Sequence, residues 1–251
     1  MKLEGKVALV PGGTKGIGLE IAKAYAAEGA TVIVASRKQE NVDAAVAEIG
    51  TYGTADGFAC DISDAAASQK LVADVVEKYG KLDIFLNSAG IYPNTPIDKI
   101  STEEALAVFS IDLIGPFFAA QAAAKQMIEQ KSGSIIFITS GQGLRGVPLM
   151  AHYSAAKGGL IALARAMAAE LGVHNVRVNT IAAGLTTTDT VKDNIPPEFM
   201  GMVAENIPLK RLGNPTDYNG AAVLLASDDG SYITGVTIAV DGGTAEADAV
   251  H

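Results

Sequence analysis

Residues 7–18 read VALVPGGTKGIG and combine an apolar run, a glycine-rich turn and the start of a helical pattern. Glycines at Gly12, Gly16 and Gly18 permit a tight turn and a close approach of the backbone to a pyrophosphate. The helix that follows points its free N–H groups at the same phosphates. A strand before the turn and a helix after it favour a dinucleotide site over an ordinary glycine turn. The predicted cofactor-binding residues of this turn are Gly12, Thr14, Lys15, Gly16, Ile17 and Gly18.

The end of the second apolar run predicts which dinucleotide is bound. A site for NAD places Asp or Glu here to hold the ribose 2′-hydroxyl, whereas this chain has Ser36, followed by Arg37 and Lys38. A guanidinium suits a 2′-phosphate, and Lys15 can reach the same group. Each of these cations alone is more often a solvated surface charge. Together, and without an acid, they favour NADP(H) over NAD(H).

Short apolar runs alternate with longer helical patterns along the whole chain. The runs are rich in Val and Ile, which is typical of parallel strands buried on both faces, and the helices would cover the two faces of such a sheet. No linker, charge block or internal repeat divides the chain, so we expect one α/β domain over residues 1–251. The seven predicted strands are Val7–Pro11, Thr31–Ser36, Asp56–Cys60, Leu82–Asn87, Ser134–Thr139, Val176–Ile181 and Thr237–Val240.

One segment, Gly184 to Pro215, breaks this alternation. It has no strand pattern, and Pro196, Pro197 and Pro208 would interrupt any long helix. An irregular segment of this length inside a compact domain is uncommon unless it acts as a lid or a binding loop. We therefore predict a lid or a binding loop over residues 184–215.

Composition excludes several classes of protein. A single cysteine, Cys60, cannot form an internal disulfide, and 49% hydrophobic residues rule out disorder. Acidic residues outnumber Lys and Arg by 28 to 19, which argues against nucleic-acid or anionic-membrane partners. The longest charge-free apolar stretch, Leu113 to Ala124, is too short to span a bilayer, and no signal peptide is apparent. These features predict a soluble cytoplasmic protein. His174 and His251 lack the spacing of metal ligands, so we expect no metal site.

A tyrosine and a lysine four residues apart predict acid–base chemistry. Tyr153 and Lys157 would share one helix face, so the ammonium can sit near the phenol and lower its pKa from about 10. Tyr153 could then donate a proton to a carbonyl oxygen or remove one from an alcohol. Ser140 ends a predicted strand, where ligand sites of α/β sheets open, and its hydroxyl could hold the reacting oxygen. If the glycine turn were absent, Tyr153 and Lys157 would be better interpreted as an exposed pair, and Ser140 as an ordinary residue at the end of a strand.

From Lys6 to Gly243 the chain resembles the short-chain dehydrogenase/reductase family in its single-domain form of about 250 residues. The motifs that carry the resemblance are the glycine turn, Asp61, Asn87-Ser88-Ala89-Gly90, Ser140, Tyr153-x-x-x-Lys157, Ala183-Gly184, Ile233-Thr234-Gly235 and Val240-Asp241-Gly242-Gly243. The resemblance implies a Rossmann-type doubly wound sheet, a nicotinamide cofactor and a homotetramer. It also implies that Tyr153 is the acid and base, that Ser140 binds the substrate oxygen, and that Lys157 binds the nicotinamide ribose.

The same resemblance places the edges of the cofactor. Asp61 would hydrogen-bond the adenine, and Asn87 to Gly90 would run beside the adenosine ribose. The segment from Gly184 onward would match the family's substrate lid. The cofactor-binding residues implied in this way, in addition to Tyr153 and Lys157, are Asp61, Ile62, Asn87, Ser88, Ala89, Gly90, Ala183, Gly184, Thr186 and Thr188.

Four residues depart from the family pattern. Pro11 stands where Thr is usual, Ser88 where Asn is usual, and Ala183 where Pro is usual. The largest departure is Asp112, which stands where the family has its fourth catalytic residue, Asn. That Asn acts largely through its main-chain carbonyl in a proton relay, so activity is expected to survive with Asp112 as the catalytic residue. A buried carboxylate there needs partners or becomes protonated.

The leading functional prediction is an NADP(H)-dependent interconversion of a ketone or aldehyde and a secondary alcohol. A 3-oxoacyl thioester reductase stays open, as does reduction of a conjugated C=C bond. Enoyl reductases of this fold, however, separate Tyr and Lys by six residues, and dienoyl-CoA reductases lack the tyrosine. An NADP(H)-sensing regulator is the non-enzyme alternative, although such proteins usually lose the Tyr or the Lys.

Mostly apolar residues around the predicted site suggest a hydrophobic carbonyl substrate, with packing in the lid or between subunits as a nearly equal alternative. His152 is a further candidate substrate contact. For the oligomer, helices around Thr102–Gln130 and His152–Gly172 would pair across subunits through alanine-rich faces such as Ala119 and Ala164. The predicted pocket residues are Tyr92, Gln142, Leu144, Val147, Met150, Leu185 and Met200.

Overall fold

The computed structural model describes residues 1–244, so His251 lies outside the described residues. Seven parallel strands form one sheet in the order β3-β2-β1-β4-β5-β6-β7. This confirms the predicted doubly wound α/β sheet, whose order reverses between β1 and β4. The strands are β1 Val7–Pro11, β2 Thr31–Ser36, β3 Ala55–Ala59, β4 Ile84–Asn87, β5 Gly133–Ser140, β6 Val176–Ala183 and β7 Thr237–Val240.

Helices cover both faces of the sheet. One buried cluster packs α3, α5 and α7 against one face, and a second packs α1, α2 and α10 against the other. The helices are α1 Gly16–Ala27, α2 Gln39–Ile49, α3 Ala65–Tyr79, α4 Thr102–Phe109, α5 Gly115–Gln130, α6 Gln142–Arg145, α7 Ala151–Leu171, α8 Asp189–Asn194, α9 Pro197–Asn206 and α10 Asn219–Ala226.

Strand bounds differ from the predicted ones mainly at β4. Leu82 is apolar and buried, but its N–H donates to the side-chain oxygen of Gln130 (2.9 Å) and its carbonyl accepts from the same amide. The strand therefore begins at Ile84, two residues later than predicted. β6 continues to Ala183 because its ladder with β5 runs on to the pair Ser140–Ala183.

The helix pair α4 and α5 is joined by one wider turn, a π-turn over Ser110–Ile114 that contains Asp112. The combined helix Thr102–Gln130 has 29 residues, and an 18-residue window within it has a mean hydropathy of 1.6. By length and composition alone it could cross a membrane, but the core helix of a soluble protein meets the same criteria. In the described structure it packs against α3 and α7 as part of the α/β domain.

The alanine-rich faces of α5 and α7 were expected to pack across subunits, and this expectation is wrong. Ala119, Ala120 and Ala164 are at most 2% exposed within this one chain and belong to the buried cluster between these helices and the sheet. Ala156 is also fully buried within the chain. Small side chains allow these helices to approach the strands closely. The large apolar side chains that the helix Thr102–Gln130 does expose are Leu106, Ile114 and Phe117.

The predicted lid contains two short helices, α8 and α9, joined across Ile195 and Pro196. Thr188 caps α8 by accepting the N–H of Val191 (3.3 Å), and Pro197 occupies the first turn of α9, where proline needs no N–H donor. Within the described residues the lid's ladder pairing is the single bridge between Thr186 and Gly213. The prolines that break a long helix are thus also the residues that start and end short ones.

Candidate active site

The glycine turn connects β1 to α1 at the point where the strand order reverses. Gly12 and Gly16 have positive φ angles of 77° and 55°, which side chains disfavour. A Cβ atom on Gly12 would collide with the backbone of Ala89, and one on Gly18 with the carbonyl of Gly12. The turn therefore packs directly on the loop after β4 and against its own helix, as the glycine spacing predicts.

The helix α1 begins with an open N-terminus. Lys15 occupies the capping position with extended backbone, makes no side-chain capping hydrogen bond, and no acid stands in the first turn. Its N–H groups and positive dipole end are thus available to a phosphate. This geometry fits the pyrophosphate of a dinucleotide.

The predicted 2′-phosphate residues lie at the carboxyl end of β2. Ser36 is partly buried, and Arg37 and Lys38 are exposed. Lys38 Nζ is 3.4 Å from Glu40 Oε1. The Ser63 hydroxyl donates to Asp61 Oδ1 (2.7 Å) and is the main cause that lowers the pKa of Asp61, with a smaller contribution from the Arg37 guanidinium. Arg37 and Asp61, predicted for opposite ends of one adenosine, thus lie close enough to interact.

The loop after β4 brings the next predicted residues to the same edge. Asn87 is fully buried, and its amide nitrogen donates to the carbonyl of Ala89 (3.4 Å). Its Oδ1 has no hydrogen-bond partner among the described residues. A buried orphan acceptor beside a glycine cradle indicates a place for a ligand donor such as a ribose hydroxyl. Ser88 donates its N–H to Pro11 (2.9 Å), which fastens this loop to the glycine turn.

Ser140 and Tyr153 come together where β5 ends and α7 begins. Ser140 is 7% exposed, and its Oγ accepts the N–H of Gln142 (3.2 Å). Burial raises the pKa of Tyr153, while the nearby Lys157 ammonium and a hydrogen bond with Ser140 lower it. Tyr92 packs edge-on against the Tyr153 ring, with centroids 6.4 Å apart. The phenol is therefore held among a cation, a hydroxyl and an aromatic edge.

Lys157 does not face the phenol alone. Its Nζ lies 3.0 Å from Asp112 Oδ1, and both side chains are almost completely buried. Burial would lower the pKa of Lys157, but the Asp112 carboxylate and Tyr153 raise it. Burial raises the pKa of Asp112, against the attraction of Lys157 and a hydrogen bond from the N–H of Ile91 (3.0 Å). The buried carboxylate has the partners that it was expected to need.

A second pair links the same two helices. His152 Nε2 lies 3.0 Å from Glu104 Oε1, and His152 is 4% exposed. His152 is thus turned toward α4, and the structure gives no support for it as a substrate contact. Its position beside Tyr153 was the only reason to single out His152 in the sequence, and nothing there indicated a pairing with Glu104.

The lid is anchored beside the glycine turn. Thr186 is 4% exposed, donates to the carbonyl of Gly184 (3.0 Å) and hydrogen-bonds the buried Tyr218 hydroxyl (2.5 Å). Its hydroxyl therefore has partners within the protein, and Tyr218 is an anchor that sequence reasoning missed. The Thr188 Cγ2 methyl lies 3.1 Å from where a Gly16 Cβ would stand, so the lid contacts the turn. A polar cleft of about 330 Å³ separates α1 from the outer side of the lid.

The predicted pocket residues fall into two groups. Tyr92 lies on the loop after β4, Gln142 and Leu144 lie in α6, and Val147 and Met150 lie between α6 and α7. Tyr92 and Leu144 are exposed, whereas Met150 is buried. Leu185 and Met200 lie in the lid, whose contacts described above join it to Gly16 and Tyr218 rather than to Tyr153. Within residues 1–244 no cluster of metal-ligating side chains occurs.

The residues at this edge of the sheet fit a nicotinamide dinucleotide. The glycine turn leaves room for backbone approach, α1 offers uncapped N–H groups, and Asn87 offers a buried orphan acceptor. Ser140, Tyr153 and Lys157 lie at the other side of the strand-order reversal, as in Rossmann-type oxidoreductases. Fold and site together define that class.

The chain belongs to the short-chain dehydrogenase/reductase family. The family model described as enoyl-(acyl carrier protein) reductase matches residues 12–245. A 3-oxoacyl-[acyl-carrier-protein] reductase of Thermotoga maritima is 36% identical over 97% of this chain and 99% of its own length. A 3alpha-hydroxysteroid dehydrogenase of Mediterraneibacter gnavus is 37% identical over 96% of this chain and 98% of its own length.

A solved structure confirms the fold. A short-chain type dehydrogenase/reductase from Mycobacterium marinum superposes with a TM-score of 0.91 at 33% identity, over 97% of this chain and 96% of that one. The protein is therefore an oxidoreductase of a family that uses nicotinamide cofactors. Its relatives at similar identity act on different substrates by name, so membership does not fix the substrate.

Proposed function

We propose that this protein is a cytoplasmic, NADP(H)-dependent oxidoreductase that interconverts a ketone or aldehyde and a secondary alcohol. The observation that carries the proposal is the position of the Tyr153 phenol between the Ser140 hydroxyl and the Lys157 ammonium. Gly12, Gly16 and Gly18 would hold a dinucleotide whose nicotinamide would supply or accept the hydride. Every proton step falls to side chains of this chain.

In the reductive direction, Tyr153 donates its phenolic proton to the substrate oxygen as the carbonyl carbon gains the hydride. Ser140 holds that oxygen by a hydrogen bond, and the Lys157 ammonium stabilises the phenolate that is left. In the oxidative direction the phenolate removes the hydroxyl proton. The proton is thus conserved between the phenol and the substrate oxygen, while two electrons move with the hydride.

Preference for NADP(H) rests on Arg37, Lys38 and Lys15, which are exposed around the end of β2 and the glycine turn. Arg37→Asp is expected to move the ratio of activity with NADPH to activity with NADH at least tenfold toward NADH. An unchanged preference for NADPH would refute this assignment.

The substrate class is tested with a panel of ketones, 3-oxoacyl thioesters and enoyl thioesters, assayed with both cofactors. We expect turnover of ketones or 3-oxoacyl thioesters and a loss of about a hundredfold or more in kcat in Tyr153→Phe. Turnover of enoyl thioesters alone would favour C=C reduction. Tight NADPH binding without turnover of any substrate would favour a sensor and sink the enzyme proposal.

We also propose a homotetramer. The exposed apolar side chains Leu106, Ile114 and Phe117 line one helix, and Phe117 stacks edge-on with Phe118 at 5.3 Å. An apolar helix face of this kind is typical of a subunit interface. Light scattering of Phe117→Glu should give a smaller species than the wild type. Tyr52→Glu, at another exposed aromatic residue, serves as the matched control.

A further inference from the structure

Asp112 occupies an unusually enclosed position for a carboxylate. Its side chain has no exposed area, and its two oxygens face the Lys157 ammonium and the N–H of Ile91, each at 3.0 Å. The π-turn Ser110–Ile114 presents Asp112 at the point where the helix Thr102–Gln130 faces α7. The pair also packs against Gly90. A Cβ atom at position 90 would collide with Asp112 Oδ1 and crowd Lys157 Nζ, so glycine makes room for both side chains.

At this position the Asp112 carboxylate opposes the effect of the Lys157 ammonium on the pKa of Tyr153, the proposed acid. The Lys157 ammonium favours the ionised phenol of Tyr153, whereas the Asp112 carboxylate disfavours it. Because the two charges are only 3.0 Å apart, the carboxylate offsets part of the effect of the ammonium on the phenol. An amide at position 112 would keep the shape but leave the charge of Lys157 unopposed.

We propose that Asp112 is the internal counter-ion of Lys157 and keeps Tyr153 in its protonated, proton-donating form into the alkaline range. Asp112 is then a positioning residue that acts through Lys157, and its role differs from that of the amide expected at this position. The proposal rests on the proposed function for the chemistry of Tyr153. The ionisation of Tyr153 itself, however, is measurable without substrate or cofactor.

The ionisable groups around this pair come from four directions. Tyr153 lies on the same helix as Lys157, Tyr92 approaches from the loop after β4, and His152 acts on Asp112 from the first turn of α7. Glu104, on α4, pairs with His152. Arg145, on the neighbouring α6, donates to the carbonyl of Thr244 (3.1 Å).

Glu104 provides a matched control. It joins the same two helices through a buried histidine, carries the same charge as Asp112, and is not among the groups that act on Tyr153. Glu104→Gln therefore removes a carboxylate from the neighbouring pair while leaving the Asp112–Lys157 pair intact.

The experiment is a spectroscopic pH titration of tyrosinate in the cofactor-free protein. The chain has seven tyrosines and no tryptophan, so tyrosinate absorbance is free of indole. Subtracting the titration of Tyr153→Phe in each background isolates Tyr153. We expect Tyr153 to ionise at lower pH in Asp112→Asn than in the wild type, and Glu104→Gln to match the wild type. Circular dichroism at each pH checks that the fold is intact.

Ionisation of Tyr153 at the same or higher pH in Asp112→Asn would overturn the proposal, as would an equal shift in Glu104→Gln. Suppose that the wild type unfolds at a pH below that at which Tyr153 ionises. In that case we expect Tyr153 of folded Asp112→Asn to ionise below the unfolding pH of the wild type. If it does not, the proposal is overturned. Asp112→Ser repeats the test if Asn fails to fold. Where a substrate is known, the alkaline fall of ketone reduction should begin at lower pH in Asp112→Asn, with about a threefold greater loss near pH 9. Failure of the whole substrate panel would contradict the proposed function without touching the titration.

Discussion

Two pairs of the same residue types, Lys157–Asp112 and Lys70–Asp74, behave differently because of where they lie. The first joins two helices and has side chains 5% and 0% exposed; the second lies within α3, with side chains 73% and 31% exposed. Their N–O distances are 3.0 and 2.6 Å, so the shorter pair is the exposed one. Distance alone therefore does not measure what a pair does.

Water explains the difference. At the surface a pair gains little, because solvent screens the attraction and two long side chains lose freedom. In the interior the charges act strongly on each other and on any neighbouring titratable group, and removal of one leaves the other uncompensated. The buried pair therefore affects the pKa of Tyr153, while the exposed pair can at most support a helix.

The largest effect is expected from Lys157→Met, which strands the buried Asp112 carboxylate. The free energy of unfolding should fall by about 3–5 kcal/mol at neutral pH, and kcat by about a hundredfold or more, because Tyr153 also loses its cation. Urea denaturation and steady-state kinetics measure the two quantities.

Adding Asp112→Leu to Lys157→Met separates the two effects. The double variant should regain much of the stability, since no buried charge is left unpaired, but none of the activity. Recovery of activity in the double variant would mean that Lys157 matters only for folding.

The elements on which the site stands could be predicted from the sequence, because each of them is local. Strand, glycine turn and helix follow one another over residues 7–18. Ser140 ends β5, and Tyr153 and Lys157 lie in the first two turns of α7. Backbone sterics and hydrophobic period decide such features within a few residues. The order of the strands then brings them to one edge.

What the sequence did not predict involves partners distant in the chain. Glu104 meets His152, and Tyr218 anchors Thr186, through packing between helices and lid that no spacing reports. The alanine faces were assigned to the wrong partner for the same reason, since periodicity shows which face is apolar but not whether it meets the sheet or another subunit. The sequence shows that Asp112 departs from the family pattern. Its pairing with Lys157 depends on the π-turn Ser110–Ile114, which the sequence did not predict.

An intermediate effect is expected at Asp56, a partly exposed member of a third pair. Its carboxylate lies 2.5 Å from Lys78 Nζ and also accepts from the Tyr79 hydroxyl. Burial raises its pKa, but these hydrogen bonds lower it overall, so the ionised form stabilises the fold. Asp56→Asn should reduce the free energy of unfolding by about 0.5–1 kcal/mol near pH 7, after allowance for solvent screening.

The sign of the pH dependence tests that explanation. A lowered pKa means that the contribution is fully present above the ordinary Asp pKa of about 4 and is lost as pH falls through the folded-state value. Wild type and Asp56→Asn should therefore converge in acid. A difference that grows as pH falls would contradict the pairing.

The smallest effect is expected from Lys70→Ala at the exposed end of the comparison. Lys70 precedes Asp74 by one helical turn, the less favourable order for the helix dipole, and 73% of its side chain is in water. We expect a change of less than about 0.5 kcal/mol in the free energy of unfolding, with no change in kcat. Thermal denaturation at low and high salt measures it, and salt should shrink even this difference because the pair is screened. A loss comparable to that of Lys157→Met would show that exposure does not govern these pairs, and the contrast between buried and surface pairs would fail.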